Sequence, residues 1–270
     1  MTSQEKLNSK IQSNKHICVG LDTDINKIPE HLKLLSDPIY EFNKAIIEST
    51  SDDAAAYKIN LAFYEREGKE GIEALEKTLS ILPDDVLIIG DAKRGDIGNT
   101  SLMYAQSIFD HFNFDAVTLH PYMGYDSLEP FLNYEDKINF ILALTSNPGS
   151  EDFEKLKLND GSYLYQSVIQ KANEWNKSKN IGIVFGATNP DELLQEIKSF
   201  NDLFVLLPGV GAQGGSLEEV VKTFKDNSNF NFLINVSRAI IYADASIEYA
   251  SFASHKLKNY NRQILEILDS

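Results

Sequence analysis

A single cysteine, Cys18, stands in the 270-residue chain, which excludes an intrachain disulfide and a thiolate-built structural zinc cluster. No apolar run approaches the ~18 residues needed to cross a bilayer. Segment 1–15 is polar throughout and lacks the apolar centre of a signal peptide, so a cytoplasmic protein is expected. Positive charge is also scarce: 25 Lys and Arg face 40 Asp and Glu, a formal net charge of −15. That balance argues against nucleic acid and anionic membrane as partners. Any phosphate ligand would have to rely on a few locally placed cations.

What the chain does have is hydrophobic content, 43%, enough for a full core at this length. Eight short apolar, β-branched runs recur, at 16–22, 55–60, 86–91, 115–120, 139–146, 181–187, 203–208 and 231–237. Their ends lie 21 to 41 residues apart, close to the ~30 residues of a βα unit. The segments between them carry helical periodicity. In 71–82, Ile72, Leu75, Leu79 and Leu82 share one face, and 191–200 opens with acids after Asn189-Pro190. Strands apolar on both faces and alternating with helices indicate a parallel sheet. Eight of them without a composition break predict one domain over 1–270, a (β/α)8 barrel with a polar N-terminal segment 1–15 and a C-terminal helix.

Active sites of such barrels lie at the carboxyl ends of the strands. Asp22, Lys58, Asn60, Asp91, Lys93, His120, Thr145, Ser146, Ser237 and Arg238 all fall at run ends. The sharpest cluster is Asp91-Ala92-Lys93-Arg94-Gly95-Asp96 after an apolar run. Strand alternation places Asp91 and Lys93 on one side, toward the barrel mouth. A lysine flanked by carboxylates stays protonated and serves as a fixed cation and proton donor. Lys58, inside a second apolar run, needs a partner if buried, which suggests a charge relay of Lys58, Asp91, Lys93 and Asp96. The competing reading, an ordinary surface salt-bridge cluster, carries little energy.

Pro208-Gly209-Val210-Gly211-Ala212-Gln213-Gly214-Gly215 follows the seventh run. Its spacing fits the dinucleotide pattern G-x-G-x-x-G, but a dinucleotide domain would carry that after its first strand. Barrels of this kind often hold phosphate on the loops after strands seven and eight. Glycine lets backbone N–H groups approach an anion, Gln213 adds a donor, and Arg238 after the eighth run suits a dianion. His120 has no second ligand at metal spacing nearby and is left without a role. The excess acid is expected on outer segments such as 65–76 and 151–154.

These residues bring out a resemblance. From about Ile17 to Tyr242 the chain resembles the orotidine 5′-phosphate decarboxylase family, in particular its longer bacterial branch. The resemblance rests on Gly20-Leu21-Asp22, Tyr57-Lys58, Asp91 to Ile97, Pro121-Tyr122-Met123-Gly124, Ser146-Asn147-Pro148-Gly149, the loop 208–215 and Ser237-Arg238. It implies cofactor-free conversion of orotidine 5′-phosphate to UMP and CO2 in pyrimidine synthesis, with no metal. Lys93 would be the proton donor to C6, and Asp91 would sit beside the leaving carboxylate. Lys58 and Asp22 would contact the ribose, and Ser146 the pyrimidine. Gln213 and Arg238 would hold the phosphate, with Pro208 and Ser237 beside them in the substrate site. Asp96 and Thr100 would cross into the partner's site of a homodimer. A tyrosine that often contacts phosphate in the family has its nearest counterpart, Tyr242, one position late, and it is not assigned. Two other readings stay open: a magnesium-dependent sugar-phosphate decarboxylase or aldolase on the same barrel, and a non-catalytic phosphate binder.

Overall fold

The computed structural model describes residues 1–211 and 214–270. Each apolar run forms a strand, shorter than the run by a residue or more in most cases: Ile17–Gly20 (β1), Ala56–Asn60 (β2), Leu87–Arg94 (β3), Ala116–Leu119 (β4), Ile138–Leu144 (β5), Ile181–Phe185 (β6), Phe204–Pro208 (β7) and Phe232–Val236 (β8). All pair in parallel in sequence order, and β1 closes on β8 through Ile17 and Ile234. The α-helices among the described residues are Ser3–Gln12 (α1), Pro38–Thr50 (α2), Leu61–Glu65 (α3), Gly68–Ser80 (α4), Gly98–Gln106 (α5), Tyr125–Leu132 (α6), Leu164–Trp175 (α7), Pro190–Glu196 (α8), Leu217–Asp226 (α9), Arg238–Ile241 (α10) and Tyr249–Asp269 (α11). The molecule is a (β/α)8 barrel.

Strand alternation splits the apolar residues into two cores. One parity, including Tyr57, Ile59, Ile88, Val117, Ile234 and Val236, packs outward against the helices. The other, including Cys18, Ala56, Leu87, Ile89, Ala116 and Leu233, fills the barrel's interior. Burial pushes the Cys18 thiol up to about 12, so it stays protonated and inert.

The floor of the interior is closed by α1. Its Leu7, fully buried, joins the inner core, while Lys6 pairs with Asp115 at 2.9 Å and Lys10 with Asp85 at 2.6 Å. Segment 1–15 is therefore polar in composition but packed in function, because one leucine is enough to fill the opening. On α4 the buried face runs through Gly71, Ala74, Leu75 and Thr78. Ile72 and Leu79 sit at its edge and are only partly covered, since the face follows the small residues that let the helix approach closely.

Candidate active site

The inward parity that fills the barrel turns polar at the strand ends. Above Ala56 stand Lys58 and Asn60, above Ile89 stands Asp91, above Ala116 stands Thr118, and above Leu233 stands Asn235. These side chains line a cavity of about 300 Å³, together with Asp22, Lys93, Thr145, Ser146, Asn147 and Pro208. Its apolar wall is Leu142, Val184 and Leu206. Apolar residues with a few convergent polar groups are the usual lining of a small-molecule site.

Four charges alternate across β1, β2 and β3. Lys58 Nζ donates to Asp91 Oδ2 at 2.9 Å and to Asp22 Oδ1 at 3.3 Å. Lys93 Nζ donates to Asp91 Oδ1 at 2.6 Å. Lys58 is 5% exposed and Asp91 8%, so neither would stay ionised alone. Burial pushes the Asp91 carboxyl up, but the ammonium groups of Lys58 and Lys93 outweigh it and hold the carboxyl well below the usual range. Burial pushes Lys58 down, and Asp22 and Asp91 reverse that and hold it well above the ordinary lysine value. Both groups are ionised throughout the neutral range. The four charges cancel, so the net charge of −15 is not expressed here.

The tip of β3 is irregular. Gly90 pairs with Val117 and Arg94 with Leu119, so four steps along β3 face two along β4. Within this bulge Asp91 and Lys93 both line the cavity, while Ala92 packs against the outer core. Lys93 adopts φ +48°, a left-handed conformation that costs a lysine about 1–3 kcal/mol unless its surroundings impose it. Its N–H, without a strand partner, donates to Thr118 Oγ1 at 3.0 Å, and that hydroxyl donates to Asp91 Oδ1 at 2.9 Å. Beyond the bulge the Arg94 carbonyl accepts from His120 N–H at 3.0 Å. The Arg94 guanidinium turns outward to Glu65 at 2.6 Å. Gly95 is required where it lies, since a Cβ there would come within 2.9 Å of the His120 ring.

Sequence reasoning missed two contributors. Thr118 sits in an otherwise apolar strand and carries no charge signal; only the bulge gives its hydroxyl a task. Glu154, expected among the surface acids, is half-buried and accepts from the Thr145 N–H at 2.6 Å and its hydroxyl at 2.9 Å. With Lys155 paired to Glu192 at 2.7 Å, it pins segment 147–163 beside Ser146. Glu65, Glu70, Glu73 and Glu76 are exposed, as anticipated.

The other side of the mouth is less tightly built. Gly209, Gly211 and Gly214 take φ of 107°, 76° and 93°, conformations that favour glycine; Gln213 lies outside the described residues. Arg238, at the start of α10, is exposed, and its guanidinium has no hydrogen-bond or ion-pair partner among the described residues. Ser237 Oγ is buried without a partner among them and lies near Gly20, outside the cavity lining. The Tyr242 hydroxyl accepts from Asp24 N–H at 2.7 Å and donates to the Asp22 carbonyl at 3.1 Å, tying the segment after β8 to the loop after β1.

The cavity thus brings together Asp22, Lys58, Asp91, Lys93, Ser146 and Pro208, and leaves Ser237, Arg238, Asp96 and Thr100 outside its lining. Within one chain the alternation of charge ends at Lys93. Asp96 is partly buried and accepts from the Ile97 N–H at 2.8 Å, and Thr100 is exposed on α5. Among the described residues no group of three His, Cys, Asp or Glu side chains is placed to hold a metal, and no helix is long and apolar enough to cross a membrane.

Known proteins resemble this chain in sequence and in fold. Residues 15–251 match the model of the orotidine 5′-phosphate decarboxylase / HUMPS family. The chain is 46% identical over 273 residues to the orotidine 5′-phosphate decarboxylase of Flavobacterium johnsoniae, covering 100% of this chain and 99% of that one. Among solved structures, the OMP decarboxylase of Leishmania donovani superposes with TM-score 0.82 at 35% identity over the full length of both chains. The UMP synthase of the same organism gives TM-score 0.84 at 38% identity, and there the match covers 98% of this chain and 57% of the longer one.

Proposed function

The chain belongs to the orotidine 5′-phosphate decarboxylase / HUMPS family and is a carboxy-lyase, and on that premise we propose that it converts orotidine 5′-phosphate to UMP and CO2 by charge alone. The observation that carries this reading is the Lys93 ammonium, held at 2.6 Å from Asp91 at the open end of a buried, charge-balanced network.

Breaking the C6–carboxylate bond leaves its electron pair on C6, in the ring plane, where no π system absorbs it. Enzymes that stabilise carbanions elsewhere use an electron sink such as pyridoxal or thiamine. Here the stabilising element is a fixed cation aimed at the developing charge. CO2 departs, the Lys93 ammonium lies beside the C6 carbanion, and one of its protons passes to C6 to form the new C–H bond. The neutral amine is then reprotonated from solvent. Asp91, beside the departing carboxylate, keeps Lys93 in place. Lys58 and Asp22 contact the ribose and Ser146 the pyrimidine. Arg238 and Gln213 hold the phosphate, with Pro208 and Ser237 bordering it. Phosphate binding far from C6 supplies the energy that aligns these charges.

A magnesium-dependent reaction on the same barrel fits less well. The two carboxylates that would face a cation, Asp22 and Asp91, are bridged by Lys58 Nζ. We read the active form as a cytoplasmic homodimer in which Asp96 and Thr100 of one subunit complete the site of the other. Supporting this, both follow the carboxyl end of β3 in the stretch that exposes Ile97, Leu102 and Met103, apolar surface that a second copy would cover.

Lys93→Ala tests the central assignment. Turnover is expected to fall by at least about 10⁴-fold, combining electrostatic and proton-transfer losses, while UMP still binds. Turnover near the wild-type rate would overturn it.

A further inference from the structure

We infer that Thr118 is a positioning residue for the decarboxylation, acting by holding Lys93 in its left-handed backbone conformation and its ammonium on Asp91 at once. The inference rests on the proposed role of Lys93. Because β3 bulges between Gly90 and Arg94, β4 offers no carbonyl to the Lys93 N–H. The Thr118 hydroxyl, on the β4 residue opposite the bulge, takes its place at 3.0 Å. The same oxygen donates its proton to Asp91 Oδ1 at 2.9 Å, the very atom that accepts from Lys93 Nζ at 2.6 Å. Backbone, side chain and hydroxyl of three residues therefore close one ring around a single carboxylate oxygen.

The hydroxyl must both accept and donate, which is the distinctive capacity of Ser and Thr. Asp91 Oδ2 is turned to Lys58 at 2.9 Å, so Lys93 and Thr118 meet on Oδ1. Lys93 itself is half-exposed, with its side chain at 50%, so packing does not fix it. Without Thr118 Oγ1, the Lys93 N–H loses its partner, the next anchor lies one residue on at the Arg94 carbonyl, and a lysine at φ +48° relaxes toward negative φ. That swings Nζ away from the position beside C6. Thr118 is 1% exposed and its strand is apolar, so valine replaces it in shape and the barrel folds.

Thr118→Val and Thr118→Ser separate this from a merely structural role. The valine variant is expected to lose about 10- to 100-fold in kcat, as ångström-scale misplacement does, with KM and UMP affinity within about threefold of wild type. The serine variant restores kcat to within about threefold, because it returns the hydroxyl. A crystal structure of the valine variant should show Lys93 out of the left-handed region. Wild-type kcat in the valine variant, an equal loss in the serine variant, or an unchanged Lys93 φ would each overturn the inference. If the wild-type chain fails to decarboxylate orotidine 5′-phosphate, the proposed function falls, and the Lys93 φ of the valine variant still decides the role of Thr118.

Discussion

The two sides of the barrel mouth are built on opposite plans. On the side of β1 to β4, every charge has a partner: Lys58 bridges Asp22 and Asp91, and Asp91 Oδ1 receives both Lys93 and Thr118. On the side of β7 and β8, the exposed Arg238 guanidinium has no partner among the described residues, and Gly209, Gly211 and Gly214 take positive φ. Under the proposed mechanism, the difference separates two jobs. Charges that must act on a short-lived carbanion are preorganised, since reorganising them during the reaction would cost the very energy they supply. Charges that recognise a stable phosphate can wait for the ligand, because binding itself brings them into place.

The strongest way to break this contrast is on the preorganised side. Asp91→Ala strands Lys58 in the interior with Asp22 alone, and removing one partner of a buried pair costs about 3–5 kcal/mol. Denaturant unfolding should show that loss together with loss of turnover. On the open side, Arg238→Ala should raise KM about 10- to 100-fold, the worth of charge-assisted bonds to phosphate. Unfolding stability should stay within about 0.5 kcal/mol, as for other exposed substitutions. A stability loss in the arginine variant as large as in the aspartate variant would erase the distinction.

A subtler consequence concerns pH. The folded-state pKa of Asp91 is depressed, so its stabilising contribution is complete above the ordinary aspartate value near ~4 and is lost as pH falls through the folded value. That of Lys58 is raised, so its contribution is complete below the ordinary lysine value near ~10.4 and is lost as pH rises through the folded value. Between about pH 5 and pH 9, NMR titration of the wild-type protein should therefore show neither the Asp91 carboxyl nor the Lys58 ammonium changing state. A titration step of either group within that window would show that the network is not the fixed field described above.

Much of this arrangement was readable from residues alone. Eight apolar runs forecast eight strands because a barrel strand is buried on both faces and cannot tolerate polarity before its end. Asp22, Lys58, Asp91 and Lys93 stood out for the same reason, as charges where burial forbids unpaired ones. Other features depended on three-dimensional coincidence. Leu7 is one leucine in a polar segment, and only the barrel's open floor makes it a plug. Glu154 reads as one more surface acid until segment 147–163 folds back onto Thr145. Thr118 matters only because β3 carries two residues more than its neighbour requires. Asp96 and Thr100, far clearer in the resemblance than in the single chain, lie outside the cavity lining.

The central claim is that side-chain charge suffices for the chemistry. Its most direct test follows the ultraviolet absorbance of orotidine 5′-phosphate with the purified chain after exhaustive chelation and with no added cofactor. Undiminished conversion to UMP is the predicted result. Activity lost on chelation and restored by Mg²⁺ would contradict it and return the site to a metal-dependent reaction.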